Sequence, residues 1–118
     1  MLTLEATDGR VVEIKADTRI THADYAKLIP ALEQIIAEEG ALRCVIVVPE
    51  IESIEPRAVL GDLEFDLKHL SDIERCAVVT DSAWVTRASE LWDMLMPRTR
   101  VRCFPIEQHT EAQLWVRS

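Results

Sequence analysis

The chain's three cysteines each follow an arginine directly: Arg43-Cys44, Arg75-Cys76 and Arg102-Cys103. A guanidinium beside a thiol lowers its pKa and arms it as a nucleophile. These pairs, however, lie in the apolar runs Cys44-Val45-Ile46-Val47-Val48, Cys76-Ala77-Val78-Val79 and Val101-Arg102-Cys103-Phe104. Short β-branched runs read as strands buried on both faces. Successive side chains of a strand point to opposite faces, so each arginine faces away from its cysteine. The thiols therefore read as small reduced hydrophobes of a core. Cys44 and Cys76 lie near strand starts and Cys103 near a strand end, so the three are not expected to line up as a site. His22, His69 and His109 stand singly, and no His-x-x-x-His or Cys-x-x-Cys spacing occurs. No metal site is expected.

Other chemistries fare no better. Glu50, Glu52 and Glu55 crowd one stretch, and Asp62, Glu64 and Asp66 another. Both read as solvated acidic faces, because acid–base catalysis needs a carboxyl tuned by a pocket. Gly9, Gly40 and Gly61 are too scattered to build a phosphate-cradling loop, and no Gly-x-Ser-x-Gly elbow is present. Neither a catalytic residue nor a cofactor is expected. Trp84 and Trp92 share one helical face. They either pack a core or, with Leu60, Phe65 and His69, wall an apolar ligand pocket.

The elements that would position these residues follow from pattern. Leu2 to Ala6 and Val11 to Ala16 flank Asp8-Gly9, a hairpin signal. Thr21 opens a first helix with the apolar stripe Tyr25, Leu28, Ile29, Leu32, Ile35 and Ile36, and Gly40 ends it. Pro30 inside that pattern should kink or divide it. After the strand from Arg43 to Val48, the stretch Pro49 to Pro56 reads as a loop. A second helix spans about Arg57 to Leu70, weakened at Gly61 by about 1 kcal/mol relative to alanine. The strand from Arg75 to Thr80 leads through the cap Asp81-Ser82 into a third helix that buries Trp84, Ala88, Leu91, Trp92 and Leu95. Arg98 to Phe104 alternates as a charge-protected edge strand. Thr110 caps a last helix containing Ala112, Trp115 and Val116.

The result is one α/β domain over residues 1–118, in the order ββαβαβαβα. It has a mostly parallel sheet, an N-terminal hairpin and four helices. With 13 basic against 21 acidic residues the net charge is −8. That opposes nucleic-acid binding, which needs a basic surface, and allows at most peripheral membrane contact. No apolar stretch reaches the length of a membrane span. Met1-Leu2-Thr3-Leu4-Glu5 lacks a secretory signal pattern, and the reduced cysteines place the protein in the cytoplasm.

One likeness spans almost the whole chain. It is carried by Asp24-Tyr25-Ala26-Lys27-Leu28-Ile29-Pro30, Asp66-Leu67-Lys68-His69, Ala77-Val78-Val79-Thr80-Asp81 with Trp84, Val101-Arg102-Cys103-Phe104 and Ala112 to Trp115. In these segments and in element order the chain resembles the SpoIIAA-like bacterial family. That family has the STAS fold of anti-sigma-factor antagonists. The resemblance implies a non-enzymatic regulatory or binding module acting through a protein partner or as a homodimer. STAS-fold members switch partners when a serine at the start of the second helix is phosphorylated. The matching stretch here holds Ser53 alone, without the family's Asp-Ser-(Ser)-Gly sequence. The family is also similar in shape to CRAL-TRIO lipid-binding domains. That likeness implies an alternative, a small apolar ligand or lipid held under a movable second helix by Leu60, Phe65, His69, Trp84 and Trp92.

Overall fold

The Arg-Cys runs become three neighbouring strands of one sheet. The structure, a computed structural model, describes residues 2–16, 18–20, 22–49, 51–54, 73–95 and 99–118. Its elements are β1 (Leu2–Asp8), β2 (Val11–Ala16), β3 (Thr18–Ile20), α1 (His22–Glu39), β4 (Leu42–Val48), β5 (Ile51–Ile54) and β6 (Ile73–Thr80). They continue as α2 (Ala83–Leu95), β7 (Arg100–Phe104), a 3₁₀ turn (Ile106–Gln108) and α3 (His109–Arg117). Five strands form one sheet in the order β1-β2-β4-β6-β7. β1 is antiparallel to β2, and every other pair is parallel. This is the α/β frame with an N-terminal hairpin that the sequence predicts. The predicted helix over residues 57–70 lies outside the described residues.

Strand alternation assigns the two faces. Val12 and Ile14 of β2, with Leu42 and Cys44 of β4, pack under Leu28, Ile29, Leu32 and Ile36 of α1. Farther across the same face, Val48, Val78 and Ala16 meet Val85 of α2. The opposite parity, Val11, Val45, Ala77, Val79 and Phe104, packs under Ala112 and Val116 of α3. The last helix thus covers the face that the other two leave open.

The hairpin closes through a two-residue loop, with Asp8 and Val11 as register partners. Gly9 stands at φ 61°, as the primed hairpin turns require. A side chain at that φ crowds the carbonyl that follows it. Gly9→Ala should therefore destabilise the fold by about 1 kcal/mol, read as a lower urea midpoint.

Four expectations change. Pro30 does not divide α1, which runs as one helix from His22 to Glu39. The stripe packs on the sheet on both sides of it, Leu28 and Ile29 before, Leu32 and Ile36 after, and carries the helix past the missing donor. Within the stretch from Pro49 to Pro56, Ile51–Ile54 forms β5, paired in parallel with β3. Isoleucine at both ends suits a strand. In α2 the buried described position is Val85, whereas Leu91 is 57% exposed. At about 100° per residue, Leu91 stands some 240° round the helix from Val85. Finally, α3 begins at His109 behind Gln108, with no side-chain cap, so Thr110 does not cap it.

Candidate functional site

The predicted ligand set divides. Leu60, Phe65 and His69 lie outside the described residues. Trp84 and Trp92 fall on α2, eight positions apart, and their side chains also lie outside the description. Ser53 is on β5, opposite Arg19 of β3 in register, so it stands on a strand and not in the predicted loop. Ser82 occupies the N-cap position of α2, its carbonyl accepting the Thr86 N–H at 3.1 Å. The Asp81 carboxylate accepts the Ile106 N–H at 3.2 Å and ties the end of β6 to the 3₁₀ turn.

The polar groups that the fold does bring together lie under α3. Glu13, in the middle of β2, projects to that face. Its Oε1 is 2.7 Å from His109 Nε2 and accepts Gln113 Nε2–H at 2.8 Å. A carboxylate only accepts, so Nε2 carries the ring proton in this contact. Arg117, one turn beyond Gln113, donates to the Gln113 carbonyl at 3.1 Å and stands 3.6 Å from Asp8 Oδ2. Beside this group a cavity of about 60 Å³ opens between β1, β2 and α3, with Glu13, Gln113 and Arg117 among its walls. Small-molecule sites run to several hundred Å³. This one suits a few waters.

Burial alone would raise the Glu13 carboxyl pKa. The hydrogen bonds from Gln113 and His109, and the charges of His109 and Arg117, outweigh it and leave the pKa below its ordinary 4.5. Glu74, at the start of β6, is lowered as well, chiefly by its hydrogen bond from Arg43. A carboxylate with a depressed folded-state pKa contributes its stability in full above the ordinary carboxyl range. It loses that contribution as pH falls through the folded value. Acidification from pH 5 should thus destabilise the protein. Glu74 is exposed enough that solvent screens its share. Glu13→Gln should cost about 1 kcal/mol at neutral pH and flatten the acid limb of the urea midpoint plotted against pH.

Two of the Arg-Cys arginines work at the other end of α3. Arg43 and Arg75 are register partners on β4 and β6. Arg43 donates through Nη1 to the Val116 carbonyl at 2.8 Å and through Nε to Glu74 at 3.0 Å. Arg75 donates to the Trp115 carbonyl at 2.7 Å and to Ser118 Oγ at 2.6 Å. The last carbonyls of a helix have no partner within it. Here sheet arginines supply the donors, and their charge opposes the negative end of the helix dipole.

On the opposite face Cys44 and Cys76 are direct register partners, in keeping with their like positions near strand starts. Cys103 pairs with Val78, one pleat farther on. Burial pushes Cys44 well above 9.0 and Cys76 to about 12, each further raised by a neighbouring thiol. Both are neutral and unreactive at physiological pH.

Sequence reading passed over Glu13, a single acidic residue in the second run of the hairpin. The signal was present in His109-x-x-x-Gln113-x-x-x-Arg117, a polar stripe beside the apolar Ala112 and Val116. Such a stripe flanking a buried one needs a polar partner on the sheet.

Comparison with known proteins bears on the whole frame. A family model described as SpoIIAA-like matches residues 11–117. The crystal structure of an uncharacterised protein of the DUF3478 family, with a SpoIIAA-like fold, from Shewanella loihica superposes with a TM-score of 0.76. The two chains are 24% identical, and the match covers 98% of this chain and 92% of that one. At that identity the likeness is one of fold. A search of curated proteins returned no match.

Proposed function

The chain belongs to the SpoIIAA-like family, and we propose that it is a non-enzymatic regulatory or binding module acting through a protein partner or by self-association. The observation that carries this reading is the SpoIIAA-like match over residues 11–117, and the direction of the ionisation shifts among the described residues accords with it. Glu13 and Glu74 shift down and remain anionic, whereas Cys44 and Cys76 shift up and remain neutral. A general acid at neutral pH needs a raised carboxyl, and a thiol nucleophile needs a lowered one. These groups move the opposite way, and the carboxylates hold α3 and the sheet together. Such a scaffold supports a role in contact more than in turnover. Its three free thiols suit a reducing, cytoplasmic setting.

Sedimentation velocity over a hundredfold concentration range, with affinity capture from cells of origin and reconstitution from purified components, tests the reading. The expected result is either a concentration-dependent dimer or a stoichiometric partner that rebinds when purified. A strict monomer with no reconstitutable partner would refute it.

A further inference from the structure

The flank of α3 that faces β6 and β7 is built unlike the rest of the surface. Arg75 Cζ lies 5.1 Å from the centre of the Trp115 ring, and Arg102 Cζ lies 5.0 Å from that of Phe104. The two rings meet at 6.0 Å, tilted by 54°. Arg100 is the register partner of Arg75 and projects to the same face. Phe104 is buried under this arrangement, Trp115 is half-buried, and Arg100 and Arg102 are exposed. The result is a pair of rings with a guanidinium over each, and a third arginine, Arg100, on the same face of the sheet.

The charges are out of keeping with the chain. Net charge is −8, yet among the described residues Arg75, Arg100 and Arg102 make no ion pair. The ion pairs there use Arg10, Arg43, His109 and Arg117. Protection of an edge strand explains charge on β7, but that edge is already blunted by Asp93, whose carboxylate accepts the Val101 N–H at 2.9 Å. It does not explain why an arginine lies over each of two neighbouring rings. Arginine and tryptophan are the side chains that most often dominate protein–protein binding energy.

We propose that Trp115 with Arg75, Arg100 and Arg102 forms a docking surface for an acidic partner segment that carries an apolar anchor. Carboxylates of the segment pair with Arg100 and Arg102, and its apolar side chain covers the half-exposed indole. Asp93 keeps the segment off the strand edge, so recognition runs through side chains and not through an added β-strand. Glu111, one turn before Trp115 on the same flank, is the acidic group of α3 that opposes such a segment. A single-stranded nucleic acid would also stack on tryptophan, but it offers no aliphatic or phenyl anchor for the indole, and oligo-dT tests that alternative directly. The inference rests on the module acting through a partner.

The test uses the full chain, ¹⁵N-labelled, titrated with the peptide Glu-Glu-Asp-Leu-Phe-Asp-Glu-Glu, its lysine counterpart and oligo-dT. The acidic peptide should shift the Trp115 indole resonance and the amides of residues 100–104, and bind more weakly as salt rises. Arg100→Glu with Arg102→Glu should weaken it at least tenfold. Arg100→Gln with Arg102→Gln serves if the reversal disturbs folding. Glu111→Gln should tighten it about twofold. Unchanged affinity in both double variants, or equal binding of the lysine peptide or of oligo-dT, overturns the proposal. If a purified partner binds the double variants as it binds the native chain, the surface is wrong while the module reading stands. If neither partner nor peptide binds, both fall.

Discussion

Shortening Leu42 to alanine should cost the fold about 2–5 kcal/mol, the range for deleting a fully buried leucine side chain. Leu42 opens β4, is 0% exposed and lies in the cluster under α1 with Val12, Ile14, Leu32 and Ile36. A chain of this length has a total stability of about 6–18 kcal/mol at the usual 0.05–0.15 kcal/mol per residue. One substitution therefore removes a large share. The leucine sits where the first crossover feeds into the sheet, and a parallel sheet covered by helices has little room to collapse into the void. Urea unfolding should show a lower midpoint at constant slope. Leu114→Ala, at a position 65% exposed, should stay within about 0.5 kcal/mol of the native chain. A cost below about 1 kcal/mol at Leu42 would mean that α1 does not seal this part of the sheet.

The contrast between these two leucines shows what the sequence could reveal. β4 and β6 were legible because both parities of each run are apolar, and only burial on both faces asks for that. α1 was legible from a stripe long enough to outweigh Pro30. The phase of α2 was not. Its tryptophans and leucines gather within an arc of about 100°, yet the sheet selected Val85, at the margin of that arc, and left Leu91 and Met94 outside. β5 was missed because a four-residue strand depends on its distant partner β3, and local composition favoured a loop. Glu13 was passed over for a related reason. Alternation says which residues share a face, but only the placement of α3 says that the face is covered. The proposed ligand residues Leu60, Phe65 and His69 belong to the stretch outside the described residues, so the carrier alternative stays with the sequence argument that raised it.

Replacing Arg43 by methionine should cost about 1–3 kcal/mol, and the reason lies in the dipeptide that first suggested chemistry. Arg43 is mostly buried and holds two acceptors at once, the Val116 carbonyl and the Glu74 carboxylate. Methionine keeps the packing of the stem but donates nothing. The helix-end carbonyl is then left without its partner, with a penalty of about 1–3 kcal/mol. The Glu74 pKa should climb back toward its ordinary value, since Arg43 is the main cause of its depression. The variant's acid limb should accordingly flatten, a readout that loss of packing alone would not produce. Lysine should rescue only in part, because one ammonium cannot reproduce a planar fork reaching both groups. Arg75 holds the neighbouring Trp115 carbonyl, so the double variant Arg43→Met with Arg75→Met should depart from additivity by about 0.5 kcal/mol or more. Additive losses would mean that each arginine caps α3 independently. A coupled loss would make the pair one clamp, with each cysteine on the far side of its strand left to fill the core.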